Sequence, residues 1–211
     1  MKNNLINLQD EVKKIKILYI HHGVGIGGAP KSLIKLVDII DKSKFDVKIA
    51  VIQSGPAAEM FKKKGIEVVE IKDSVKYLLR IGTPSITFFK YFFFLRIMFE
   101  WIHTAYFKAP RFLERQNADI IHLNSHILSS WAFAAKKMGF KVVVHNREAI
   151  SKGLIGLRFH FVKYILSKNT DYIINISKDN KDRLDIQSNN SVVVYNPIEI
   201  KELSNIKSEH H

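Results

Sequence analysis

Seven short runs rich in β-branched and aromatic residues, with room for a helix between most of them, constrain this chain more than any other feature. They are Ile15 to Ile20, Asp46 to Ile52, Ile66 to Ile71, Ala118 to Leu123, Lys141 to His145, Asp171 to Ile176 and Ser191 to Val194. Runs of this length and composition predict strands, and the stretches Leu33 to Ile40, Ala57 to Lys64, Leu128 to Met138, Leu154 to Lys168 and Lys178 to Leu184 predict helices. Strand and helix in alternation require crossovers, which are right-handed and produce a parallel sheet covered on both faces. The expected fold class is therefore α/β, a Rossmann-like parallel sheet of about seven strands with helices on both faces. Sheets of this kind bind ligands outside the C-terminal ends of their strands.

The first strand runs into His21-His22-Gly23-Val24-Gly25-Ile26-Gly27-Gly28-Ala29-Pro30-Lys31-Ser32, and the first helix follows. Proline suits the first turn of a helix, and the glycines let the backbone turn sharply and approach a ligand. A helix N-terminus behind such a loop offers unpaired N–H groups and a partial positive charge, so a phosphate-bearing ligand is the natural guest. Gly23, Gly25 and Gly28 fit the dinucleotide pattern, but the second strand ends in Gln53-Ser54, with no carboxylate to hold a ribose. A triphosphate loop needs glycine where this chain has Pro30 before Lys31-Ser32. The remaining reading is a loop that lets a diphosphate approach without clamping it, with Gly27 and Gly28 at the point of contact.

The same placement rule gathers other polar residues on one rim. His122, Asn124, Ser125 and His126 follow the fourth run; His145, Asn146, Arg147 and Glu148 follow the fifth; Ser177 and Lys178 follow the sixth. A strand-end histidine can exchange a proton near neutral pH, and an arginine can grip a phosphate or carboxylate with two prongs. His145 is the candidate catalytic residue of this rim, and Asn124, His126, Arg147 and Ser177, with Asn196 after the last run, are candidate substrate contacts.

Lysine and arginine number 33 against 20 acidic residues, a formal net charge of +13, which suits anionic lipid or phosphorylated substrates. Cysteine is absent, which excludes a disulfide framework, thiolate chemistry and sulfur-bound metal. Histidine spacing of the zinc-binding kind is also missing, so no metal is expected. Residues 1–14 are polar and lack the apolar centre of a signal peptide, which makes the cytoplasm the default. His210-His211 resemble the start of a purification tag.

A helical insertion is expected at about residues 84–115. Eight of the fourteen phenylalanines fall between Phe88 and Phe112, interleaved with Lys90, Arg96, His103, Lys108 and Arg111. Such a helix is apolar nearly all round, yet its charges interrupt it too often for a membrane span. Docking in an anionic membrane interface, or a groove for a lipid-linked acceptor, would use Phe92, Phe93, Arg96 and Trp101; a core helix is the plainer alternative. Nucleic acid is not an expected partner, because the aromatics cluster in an apolar helix.

In order and spacing, these segments resemble the N-terminal domain of glycosyltransferase family 4, of the GT-B fold. The residues that carry the resemblance are Lys16 to Ile20, Gly27 to Leu33, Ala118 to His126, Val142 to Asn146, Ile176-Ser177 and Val194 to Ile198. It runs from about Ile15 to Glu199. It implies that the domain holds the acceptor and that Gly27 and Gly28 lie against the diphosphate of a nucleotide sugar held mainly by a second domain. His145 would sit beside the transferring sugar or the acceptor, and Asn196-Pro197-Ile198 would begin the crossing to the second domain. Asn146 stands where the family commonly has an aspartate.

The resemblance thus divides the chain into an extension (1–14), an acceptor-binding domain (15–199) and a linker with tag remnant (200–211), with the C-terminal donor-binding domain and its Glu-x7-Glu signature absent. The expected activity is retaining transfer of a sugar of the hexose type to a glycan or lipid-linked acceptor, in cell-surface polysaccharide or glycolipid synthesis. The nucleotide sugar is a substrate, no cofactor is needed, and the location is cytoplasmic, peripheral on the inner face of the cell membrane. This chain alone is expected to be inactive. Two rivals stand beside this reading: a non-catalytic membrane-binding subunit of a split transferase, and a dinucleotide-dependent enzyme.

Overall fold

The structure, a computed structural model, describes residues 13–71, 87–148, 156–186 and 190–196, with the backbone alone for 87–94. In chain order the elements are β1 (Ile15–His21), α1 (Gly28–Ile39), β2 (Phe45–Val51), α2 (Pro56–Lys63), β3 (Glu67–Glu70), α3 (Thr87–His103), a π turn (Thr104–Lys108) and α4 (Ala109–Leu113). There follow β4 (Ile120–Leu123), a 3-10 turn (His126–Leu128), α5 (Ser129–Lys137), β5 (Lys141–Asn146), α6 (Leu157–Asn169), β6 (Tyr172–Asn175), α7 (Lys178–Leu184) and β7 (Ser191–Val193). The strands form one sheet in the order β3-β2-β1-β4-β5-β6-β7, every pair parallel. The expected seven-stranded parallel sheet is present.

β1 is central, and its residues from Ile17 to His21 are all buried, which explains why it reads as an unbroken apolar run and not as an alternating one. Ile17 and Tyr19 face one layer, where Leu33, Ile34 and Val37 of α1 and Ala57, Ala58 and Phe61 of α2 pack with Ile49 and Val51. Leu18 and Ile20 face the other, where Leu113 of α4, Trp131 and Ala135 of α5, and Val162 and Leu166 of α6 close a larger core. Register extends these faces across the sheet. Tyr19 lies opposite His122 and His122 opposite Val143, so His122 and, two residues past Val143, His145 share the α1 face.

The aromatic insertion runs as one continuous helical segment, Thr87–Leu113, through its π turn, where the Ala109 N–H bonds Thr104 O in a wider i→i−5 loop. Trp101, Ala105 and Ile165 make a satellite core with Phe133 and Phe161, and Trp101 Nε1 donates to Ser129 Oγ at 3.0 Å. Trp101 is therefore not a surface contact, contrary to the expectation from sequence; its indole N–H has a buried partner on α5. The exposed apolar residues are Leu95 (65%), Phe99 (70%), Ile102 and Tyr106, at four- and three-residue spacing on one stripe, with Phe107 beside them. Arg96 stays on the surface and pairs with Glu100 at 3.4 Å. The side chains of Phe92 and Phe93 lie outside the described residues. Among those described, no helix is long and apolar enough to cross a membrane.

Candidate functional site

Strand order reverses between β1 and β4: the chain leaves β1 for α1 on one face and leaves β4 for α5 on the other. A crevice opens at such a switch point. The glycine loop forms its wall on the β1 side. Val24 O accepts the Ala57 N–H at 2.9 Å, and a Cβ on Gly55 would collide with the Val24 side chain, so the loop is seated on the start of α2. By contrast, a Cβ built on Gly25, Gly27 or Gly28 meets nothing within 4 Å. No side chain caps α1 and its first turn holds no acidic residue. Gly28 and Ala29 thus carry the first-turn N–H groups, since Pro30 has none.

Arg147, just past the end of β5, is the hub of the site. Its Nε donates to Asn124 Oδ1 at 2.7 Å, Nη1 to Ser32 Oγ at 2.7 Å and to Asn196 Oδ1 at 3.0 Å, and Nη2 to His145 Nδ1 at 3.1 Å. Four of the five guanidinium N–H groups are thereby placed on uncharged acceptors from four segments of the chain. Ser32 Oγ also donates to Asn196 Oδ1 at 2.8 Å, which ties the helix behind the glycine loop to the residue three positions past β7. Asn124 in turn gives its Nδ2 to His21 Nδ1 at 3.0 Å and reaches the Ala29 carbonyl at 3.5 Å.

A second buried network lies on the other face of the sheet. Asn146 Nδ2 donates to Asn175 Oδ1 at 2.9 Å and to Asn180 O at 3.1 Å, and Asn175 Nδ2 continues to Ser191 Oγ and Val192 O. Because a carbonyl only accepts, Asn180 O fixes the Asn146 amide, and Asn146 Oδ1 must then accept from His126 Nδ1 at 2.9 Å. Ser177 caps α7, accepting from Asn180 N at 3.0 Å and donating to Asn180 Oδ1 at 2.8 Å.

The structure therefore separates the residues expected on one rim. Asn124, His145, Arg147 and Asn196 come together beside the glycine loop, while His126 and Ser177 belong to the second network and spend polar atoms on its packing. Ser32, His21 and Asn175 escape the sequence reading. For Asn175 the available signal was register, because it ends its strand directly opposite Asn146.

Electrostatics changes the expected role of the histidines. Burial pushes His21 and His122 down to about 3, His126 to about 4 and His145 to about 2, with Arg147 adding to the depression at His21, His122 and His145. These imidazoles are neutral at physiological pH and offer hydrogen bonds, not protons. Burial lowers Arg147 to about 10, opposed by Tyr19, so it remains charged. Burial raises Tyr19 to about 12 in turn, with Arg147 opposing the rise. Among the described residues no group of three or more histidine and carboxylate side chains is placed to hold a metal. What remains is a crevice with a fixed cation, an uncapped helix start and open glycine backbone, an arrangement that stabilises negative charge.

The model for Glycosyltransferase Family 4 matches residues 26–202. No curated protein matches the chain by sequence. Among solved structures, HepE of Anabaena in complex with UDP-glucose superposes with a TM-score of 0.63 at 13% identity, over 92% of this chain and 49% of that one. The lipopolysaccharide outer core galactosyltransferase WaaB superposes at 0.57 with 18% identity, over 88% and 47%. The UDP-GlcNAc 2-epimerase of Methanocaldococcus jannaschii superposes at 0.53 with 14% identity, over 93% and 50%. The chain spans about half the length of these structures, and at such identities the likeness is one of fold.

Proposed function

The chain belongs to glycosyltransferase family 4, and on that premise we propose that it is the acceptor-side half of a retaining transferase using a nucleotide-sugar donor. The bond from the anomeric carbon to the diphosphate breaks, and a bond to an acceptor hydroxyl oxygen forms. The hydroxyl proton leaves with the diphosphate. One observation carries this reading: the space over Gly25, Gly27 and Gly28 is open at an uncapped helix start. Backbone N–H groups there suit the diphosphate, and the charge of Arg147 adds a positive field.

In this reading a second domain holds most of the donor, the sugar is of the hexose type, and His145 lies beside it. The acceptor is a glycan or a lipid-linked glycan of cell-surface polysaccharide or glycolipid synthesis. The stripe Leu95, Phe99, Ile102 and Tyr106, in a chain with net charge +13, supports a cytoplasmic protein resting on the inner face of the cell membrane.

The test is a panel of nucleotide sugars offered to the full-length gene product, with release of nucleoside diphosphate as the signal. Acceptor-dependent release with one donor is expected. Saturable binding of a nicotinamide cofactor, with no donor turned over, would establish the dinucleotide reading instead.

A further inference from the structure

The geometry points to Arg147 as the residue that holds His145 in a single tautomer, Nδ1 bare and Nε2 protonated, so that His145 meets a ligand as a hydrogen-bond donor and not as a base. A guanidinium nitrogen has no lone pair to offer. At 3.1 Å between Arg147 Nη2 and His145 Nδ1, the imidazole nitrogen must be the acceptor. The single proton of a neutral imidazole then sits on Nε2. That atom is buried and has no hydrogen-bond partner among the described residues. Among the described residues that N–H is left without an acceptor, and an oxygen ligand would satisfy it.

Arg147 can impose this because it is itself immobilised. Asn124, Ser32 and Asn196 hold Nε and Nη1, which fixes the plane of the guanidinium and leaves Nη2 directed at His145. Protonating His145 would set an N–H against an N–H. The other titratable neighbour is His122 of β4, whose ring centroid lies 5.8 Å from that of His145, with Tyr19 of β1 packed behind it at 4.5 Å. From α1, the Ser32 hydroxyl is spent on Arg147 and Asn196. No neighbour in this set favours the imidazolium. Arg147 is thus a positioning residue, and the oxygen it prepares His145 to meet is, on the proposed function, one of the donor sugar or its diphosphate.

The experiment is long-range nitrogen–proton correlation on the 211-residue chain labelled with 15N at histidine, with the His145 signals identified by their loss in His145→Gln. In the unsubstituted chain His145 is expected to show Nδ1 as a bare nitrogen and Nε2 as an N–H, unchanged between about pH 5 and 8. In Arg147→Met, a mixture of tautomers that titrates at higher pH is expected. An Nδ1–H tautomer, or titration near the ordinary histidine range in the unsubstituted chain, overturns the inference even where Arg147→Met does not fold. So does a folded Arg147→Met that keeps the single Nε2–H form. No sugar enters these measurements, so they stand apart from the donor panel.

Discussion

Asn146 and Asn175, opposite each other at the ends of β5 and β6, are joined by a side-chain hydrogen bond of 2.9 Å with Asn146 as donor. The second Asn146 donor goes to the Asn180 carbonyl. An aspartate in its place has no N–H and would leave both acceptors short within a site that is 1% exposed. Asn146→Asp should therefore destabilise the fold by about 2–6 kcal/mol, from two lost buried bonds at roughly 1–3 kcal/mol each. Urea unfolding at neutral pH checks this, and an unchanged midpoint refutes it.

Acid should weaken the fold well before carboxylates titrate. His21, His122, His126 and His145 have folded pKa values depressed to about 2–4 from an ordinary 6.5. Below about pH 6.5 the unfolded chain takes up protons that the folded chain refuses, so stability falls as pH falls. The slope is about 1.4 kcal/mol per pH unit for each histidine fully in this regime. Unfolding midpoints at pH 7, 6 and 5 should descend, most steeply over the last step; a flat series would show that the histidines titrate freely.

Gly27→Val and Gly28→Val separate folding from binding. With nothing within 4 Å of either added Cβ, stability should move by no more than about 0.5 kcal/mol. The same side chains would fill the space assigned to the diphosphate, and donor affinity of the full-length protein should fall roughly tenfold or more, a loss of at least about 1.4 kcal/mol. Calorimetric titration with the donor found in the panel provides the comparison. Equal affinity would remove the loop from the site.

The two sides of the aromatic helix should respond in opposite ways. Phe99→Glu and Leu95→Glu alter side chains already 70% and 65% exposed, so they should leave thermal unfolding nearly unchanged and reduce sedimentation with anionic vesicles. Trp101→Ala removes a buried indole together with its bond to Ser129 and should cost about 3–5 kcal/mol. Vesicle binding indifferent to both glutamates would assign the stripe to a protein partner.

The sheet was legible because a parallel strand covered on both faces must be apolar at every position, and β1 and β5 announce themselves on that ground alone. Helix α1 begins at Gly28, five residues before its apolar pattern starts at Leu33, since proline and small residues build its first turns. The hub around Arg147 was not legible as a hub. Its partners lie up to 115 residues away in sequence, and no spacing rule connects a serine in one helix to an arginine after a distant strand. Nor could periodicity choose between Phe99 and Trp101. Both are large aromatics on one apolar helix, and the buried hydroxyl of Ser129 on another helix decides which turns inward.

The π turn at Thr104–Lys108 has a consequence at the level of the gene. It accommodates one residue more than a regular helical path would need. Loss of a single codon there would let the ordinary ladder close with α3 and α4 kept in their present register. Gain of one would have to widen the path a second time or rotate α3 against α4 by about 100°, which would swing Trp101 away from Ser129 and carry the outward row from Leu95 to Tyr106 with it. Across relatives, single-residue deletions should therefore be met at this turn more readily than single-residue insertions.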